Sequence, residues 1–261
     1  MTSADVDAAI LPGLLATLHL PSIARHWKRL SEIADREGWP AARLLTTLVE
    51  IEVAERGTRR IQRHQAESGL PAGKTLATFN FEAAPGLRKA QILSLATGEG
   101  WIGSGANLLL FGQSGTGKSH VLAAIGSALI DAGRRVLFTR TTDMVQRLQT
   151  ARRELSLTAT LEKLDKFDLV CLDDLSYVRK DQAETSVLFE LIAHRYERHS
   201  IAITANQPFS AWNQVFPEPA MTVAAIDRLV HHATIIEMNG ESYRMRSASA
   251  RTKLKEPVAD N

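Results

Sequence analysis

Apolar residues in the first 68 positions recur mostly at spacings of three and four: Leu14, Leu15 and Leu18, then Ile23, Trp27, Leu30 and Ala34, then Leu44, Leu45, Leu48 and Ile51. That period places them on one face of a helix, so the stretch predicts consecutive amphipathic helices. Pro21 and Gly38-Trp39-Pro40 punctuate the run. Ser68-Gly69-Leu70-Pro71-Ala72-Gly73 is rich in turn residues and has no period. We place a boundary there, with a helical domain over 1–69 and a linker over 70–85.

From about residue 105 the pattern changes. Short apolar runs (107–111, 136–139, 169–172, 201–204 and 234–237) alternate with helix-length segments such as 118–131 and 183–199. Continuous apolar strands separated by helices predict a parallel sheet covered on both faces, an α/β domain over 86–246. Residues 247–261 are mostly polar and carry Arg251, Lys253 and Lys255, and read as a flexible basic tail.

The composition, 44% apolar and 23% charged in 261 residues, is that of a folded globular chain and excludes a disordered or fibrous one. A formal net charge of +2 is too near balance to signal a nucleic-acid partner by itself. The single cysteine, Cys171, excludes an internal disulfide framework and suits a reducing cytoplasm. No apolar stretch approaches the roughly 18 residues of a membrane span, and the first lysine or arginine is Arg25, after Asp5 and Asp7, unlike a secretory signal. A cytoplasmic protein without membrane attachment is expected.

The chemistry concentrates in Gly112-Gln113-Ser114-Gly115-Thr116-Gly117-Lys118-Ser119, followed by His120. This is G-x-x-x-x-G-K-[ST], set between a predicted strand and a predicted helix. Glycines let successive backbone N–H groups turn toward phosphate oxygens, and the helix N-terminus adds its positive dipole end. Lys118 is expected on the β- and γ-phosphates of ATP, and the Ser119 hydroxyl on Mg²⁺. Asp168-Leu169-Val170-Cys171-Leu172-Asp173-Asp174 supplies the complement, a buried strand ending in two acids. Ligands of parallel sheets gather beyond the carboxyl ends of strands, so Asp173 is expected on the metal and Asp174 as the base for the attacking water.

Two further polar positions stand out. Asn206 ends the strand 201–205 and could orient the lytic water, with Thr204 as the competing candidate and a turn-capping role as the plain alternative. Arg228 lies on a predicted helix, either as a finger reaching a neighbouring subunit's γ-phosphate or as half of a surface ion pair with Asp227. His194, His199, His231 and His232 make no metal-ligand pattern with Cys171 and read as surface or satisfied histidines.

Taken together, the phosphate loop, Asp173-Asp174, Asn206 and Asp227-Arg228-Leu229 resemble the AAA+ ATPases of the initiator and helicase-loader type, related to DnaA and DnaC. More narrowly, Leu20-Pro21-Ser22-Ile23-Ala24-Arg25-His26-Trp27, Arg36-Glu37-Gly38-Trp39-Pro40, Lys74-Thr75-Leu76, Arg195-Tyr196-Glu197-Arg198, Asn206-Gln207-Pro208-Phe209 and Gly240-Glu241-Ser242-Tyr243-Arg244 are similar to stretches of the IstB transposition helpers of bacterial insertion sequences. The resemblance runs from residue 20 to residue 244. It implies a P-loop AAA+ core and a helper that binds ATP, assembles on DNA and delivers or activates a transposase. Asp174 departs from the Asp-Glu pair of many such ATPases, although related initiator ATPases carry two aspartates at this place.

Arg56, Arg59, Arg60 and Arg63 fall at i, i+3, i+4 and i+7, which puts four guanidinium groups on one helix face. Such a face could follow a phosphate backbone with little sequence preference. Glu52 and Glu55, four positions before Arg56 and Arg59, offer the alternative of a solvated, ion-paired face. The reading that results is an ATP-controlled factor assembling on duplex DNA as a homo-oligomer, with Arg228 acting in trans and a cognate transposase as partner. A replicative helicase loader is the alternative. A small-molecule kinase would need an acceptor pocket and a basic lid, and no segment reads as either.

Overall fold

A computed structural model describes residues 3–175, 182–208, 212, 219–240 and 242. Phe209, Glu241, Tyr243 and Arg244, and the expected tail over 247–261, lie outside the described residues. The chain divides into two compact units, Met1–Arg63 and His64–Asn261. Among the described residues no helix is long and apolar enough to cross a membrane.

The first unit is helical: α1 (Ser3–Thr17), α2 (Pro21–Glu37) and most of α3 (Ala41–Glu67). The expected punctuation sits at the helix ends. Pro21 opens α2, where its missing N–H costs nothing, and Gly38 ends it at φ 66° in the left-handed region. Leu15, Ile23, Leu30 and Leu48 form the core, with Trp27, Leu44 and Ile51 packed against them. The expectation that Leu14, Leu18 and Leu45 share that core is corrected, because all three are more than half exposed. Leu14 and Leu18 continue the i, i+4 row of Val6 and Ile10, whereas Leu15 and Leu11 occupy the adjacent row that turns inward.

In the second unit five strands form one parallel sheet: β1 (Asn107–Phe111), β2 (Val136–Arg140), β3 (Leu169–Leu175), β4 (Ser200–Ala205) and β5 (Ala233–Glu237), in the order β2-β3-β4-β1-β5. All four strand pairings are parallel. Helices α4 (Lys89–Thr97), α5 (Lys118–Asp131), α6 (Thr141–Arg153), α7 (Leu157–Leu164), α8 (Gln182–Arg195) and α9 (Pro219–Val230) complete the unit. The three central strands β3, β4 and β1 are buried along their apolar lengths, which is why each reads as an unbroken apolar run.

The order of strands positions the chemistry. β4 separates the strand of the two acids from the strand that enters the phosphate loop, and Phe111, Ala205 and Leu175 lie in one register. Gly112, Asn206 and the acid pair therefore emerge together at the carboxyl edge of the sheet. Arg195, one of the residues of the IstB-like resemblance, has a structural task. It is fully buried and donates to the carbonyls of Leu164, Phe167 and Ser200 at 2.9, 2.9 and 3.1 Å, joining α7, β3 and β4. Burial lowers its pKa to about 10, which Asp165 and Asp168 oppose, so it stays charged at neutral pH.

Candidate nucleotide site

The loop after β1 curls around a single ammonium group. Lys118, the first residue of α5, is buried, and its Nζ donates to the carbonyls of Gly112 and Gln113 at 2.6 and 2.8 Å. These bonds fix the cation inside the loop that is to hold phosphate. Gly117 precedes it at φ 98°, and a Cβ there would come within 3.1 Å of the Phe79 ring, so this position needs glycine both for its backbone and for its neighbour.

Opposite the loop, β3 breaks register between Leu172 and Leu175, and the irregularity presents both acids. Asp174 adopts φ 57°, a left-handed conformation that a short polar side chain tolerates better than most. The buried hydroxyl of Thr204 holds the pair. It donates to Asp173 Oδ1 at 2.6 Å and accepts the Asp174 backbone N–H at 2.8 Å. Asn206 donates from Nδ2 to Asp174 Oδ1 at 3.2 Å, and the Thr141 hydroxyl donates to the Asp173 carbonyl at 3.1 Å. Both candidates for orienting the lytic water therefore touch the acid pair, Thr204 at Asp173 Oδ1 and the Asp174 N–H and Asn206 at Asp174 Oδ1.

These groups surround one cleft of about 620 Å³, within the usual range of a small-molecule site. Ser114 to His120, Asp173, Asp174, Thr204 and Asn206 line it. The Ser119 hydroxyl and the Asp173 carboxylate are hard oxygen donors facing the same space, a set that fits Mg²⁺.

Arg228 does not line this cleft. Its Nη1 donates to Ala224 O at 2.9 Å and its guanidinium lies 5.3 Å from the Phe189 ring centroid. The anticipated partner Asp227 is not what holds it among the described contacts. Arg56 and Arg59, in the helical unit, are also engaged. Arg56 donates to His19 O at 2.9 Å and pairs with Glu52 at 3.3 Å, and Arg59 reaches Glu52 at 3.0 Å, Glu55 at 3.3 Å and the Ser22 hydroxyl at 2.9 Å. Arg60 and Arg63 are exposed. The four arginines share a helix face as their spacing requires, but two of them serve the unit's own carboxylates.

Sequence reasoning missed one wall of the cleft. Residues 70–85, expected to be a linker, contribute Lys74, Thr78, Phe79 and Asn80. His120 Nε2 lies 3.2 Å from both Thr75 O and Thr78 Oγ1, and Phe79 packs edge-on against the His120 ring at 5.2 Å. Burial lowers the His120 pKa and the Lys74 charge adds to this, while the Thr75 carbonyl opposes both. The available signals were Lys74-Thr75-Leu76, one of the IstB-like stretches, and Phe79-Asn80-Phe81, an aromatic pair unusual for a linker. Arg140 and Thr142, at the end of β2 and the start of α6, also line the cleft, because Arg140 is in register with Asp173.

The family model described as IstB-like ATP binding protein matches residues 13–251. The chain belongs to this family. A Sinorhizobium fredii relative described as an insertion sequence ATP-binding protein is 65% identical over 243 residues, covering 93% of this chain and 82% of the relative. The insertion sequence IS21 ATP-binding protein of Pseudomonas aeruginosa is 32% identical over 254 residues, 96% of each chain. Among solved structures, AMPPCP-bound DnaA from Aquifex aeolicus superposes with a TM-score of 0.55 at 18% identity, over 72% of this chain and 57% of that one. DnaI superposes with a TM-score of 0.55 at 18% identity, over 69% of this chain and 98% of that one. The IstB-like protein therefore has the P-loop AAA+ fold that these structures share.

Proposed function

We propose that this IstB-like protein is a Mg²⁺-dependent ATPase that assembles on duplex DNA, with little sequence preference, and in its ATP-bound form delivers or activates the transposase of its insertion sequence. The observation that carries the reading is the acid pair clamped by Thr204 across a cleft from Lys118. A binding site alone has no need of a second carboxylate, whereas hydrolysis needs a base poised beside the one that faces the metal. The insertion-sequence relatives support the transposition setting.

In this reading the loop amides and Lys118 bind the β- and γ-phosphates, and the Phe79 wall covers the other end of the nucleotide. Mg²⁺, held by Ser119 and Asp173, would neutralise phosphate charge. Asp174 accepts the proton of the attacking water, and Asn206 sets the direction of its carboxylate. Arg228, outside its own cleft and held on α9, is the group offered to the next subunit's nucleotide, so that complete sites exist only in the assembly. Arg60 and Arg63 are the cations of the arginine face available to DNA phosphates.

Light scattering of the purified protein with duplex DNA, with single-stranded DNA or with neither, each with and without ATP and Mg²⁺, tests this. Assembly that requires ATP and duplex together is expected. Preference for single strands would replace the reading by a helicase loader, and absence of assembly in every condition would overturn the trans arrangement.

A further inference from the structure

A second cluster of chemistry-bearing side chains lies away from the nucleotide cleft. Glu197 follows α8, and His231 and His232 form the turn between α9 and β5. Their ligand-capable atoms all lie within 4.8 Å of one another. Both histidines direct a ring nitrogen at the same carboxylate oxygen, Glu197 Oε1: His231 Nδ1 at 3.5 Å and His232 Nε2 at 3.8 Å. These separations are long for hydrogen bonds, which have a mode near 2.9 Å. They are near the spacing of about 3.4 Å between ligand atoms around a tetrahedral Zn²⁺ bound at about 2.1 Å.

The backbone beneath the three residues is fixed on every side. His231 N donates to Asp227 O at 3.0 Å, and the His232 carbonyl accepts Asn107 N–H at 2.8 Å. Glu197 sits at φ 55°, and Gly105 packs against its backbone so closely that a Cβ at 105 would come within 2.9 Å of the Glu197 carbonyl carbon. Two imidazoles and a carboxylate on a rigid base match the borderline preference of Zn²⁺ and its neighbours rather than of Mg²⁺, which favours oxygen alone. The three side chains are each about half exposed, so a cation can enter, and water is left to complete the coordination.

We propose that Glu197, His231 and His232 form a binding site for a divalent transition-metal cation of the Zn²⁺ class. Tyr196 is the residue that competes with it. Its hydroxyl lies 2.7 Å from His231 Nδ1, the same nitrogen that would ligate. A phenol is neutral at neutral pH, so Tyr196 gives up its bond to the histidine when the cation enters. The Arg228 guanidinium lies 6.0 Å from the centroid of the same tyrosine ring, which links the cation site to the face that carries Arg228.

The test is calorimetric titration of ZnCl₂ into the untagged, EDTA-treated full chain without nucleotide, alongside His231→Ala/His232→Ala, Glu197→Gln and Tyr196→Phe. One Zn²⁺ per chain is expected in the parent. The histidine double variant should lose it, Glu197→Gln should bind at least roughly tenfold more weakly, and Tyr196→Phe should bind as well or better. Melting each variant in EDTA checks that its fold is intact, and Glu197→Gln decides the matter if the double variant does not fold. A parent that takes up no Zn²⁺, or an equal affinity in a folded histidine or Glu197 variant, overturns the site.

Discussion

Thr204 donates its hydroxyl proton to Asp173 at 2.6 Å while accepting the backbone N–H of Asp174. One buried side chain thus satisfies both members of the acid pair and fixes the left-handed turn between them. Thr204→Val keeps the shape and removes the hydroxyl, leaving a half-buried carboxylate oxygen and an N–H without this partner. We expect a loss of about 1–3 kcal/mol in stability and a turnover reduced by roughly tenfold or more, whereas Thr204→Ser restores both. Denaturant unfolding and steady-state ATPase rates measured together check this, and a Val variant of full stability and full rate would remove Thr204 from the site.

Asp174→Asn is the cleanest probe of the base. Asparagine accepts φ 57° as readily as aspartate and keeps an oxygen for Asn206, so geometry is preserved and only charge is lost. ATP binding is expected to persist while turnover falls by roughly 10² to 10⁴. Fluorescent-nucleotide titration against single-turnover hydrolysis separates the two. Normal hydrolysis would place the base elsewhere.

Much of this site was legible because its parts are local. A glycine-rich loop announces itself within eight residues, and an apolar run ending in two acids within seven. Which acid each of Thr204 and Asn206 meets was not legible, since it depends on a register shift in β3 that only strand pairing creates. The Phe79 wall was missed for a related reason. Residues 70–85 lack a hydrophobic period, and their order comes from Thr75 and Thr78 meeting His120, some 45 and 42 positions away. His231 and His232 read as surface or satisfied histidines because no ligand spacing links them to Glu197, which follows a different helix.

The arginine face divides into two pairs with different expected behaviour. Arg56 and Arg59 neutralise Glu52, whose side chain is only 4% exposed, so replacing both by alanine should destabilise the helical unit by leaving a buried charge unpaired. Arg60→Ala/Arg63→Ala should leave stability unchanged and lower the slope of log affinity for duplex DNA against log salt by about 2. Fluorescence anisotropy over a salt series checks it. An unchanged slope would exclude these side chains from the interface.

Glu52 also caps α2, accepting the backbone N–H groups of Ser22 and Ile23 at 2.8 and 3.2 Å. Burial raises its pKa, but these two bonds, the Ser22 hydroxyl and the Arg56 charge outweigh that and hold it below the usual 4.5. A carboxyl depressed on folding contributes stability that is present above its unfolded value and is lost as pH falls through the folded one. The acid loss should therefore set in below about pH 4.5. Glu52→Gln should lower stability at pH 7 by about 1–3 kcal/mol and flatten the acid branch. Thermal melts between pH 3 and 7 give the comparison, and parallel acid branches in parent and variant would contradict the assignment.

Arg228 is the residue whose position argues most directly for action between subunits. It is anchored at the end of α9, whose last carbonyls are tied to the sheet through Asn107 Nδ2 to Leu229 O at 3.0 Å, and it faces Phe189 and Tyr196 rather than its own cleft. Since Arg228 does not line its own cleft, the proposed reading assigns it to the nucleotide of another subunit. Arg228→Ala should keep ATP affinity and, in the assembled state, lose roughly 10³ to 10⁵ in rate. Lys118→Ala should lose nucleotide binding but keep its arginine. Each variant is then inactive alone for a different reason, and a mixture creates interfaces in which an intact Arg228 meets an intact loop. Recovered ATPase activity on mixing is expected under assembly conditions and not at dilution. A mixture that stays inactive while still assembling would show that Arg228 serves only the packing of α8 and α9.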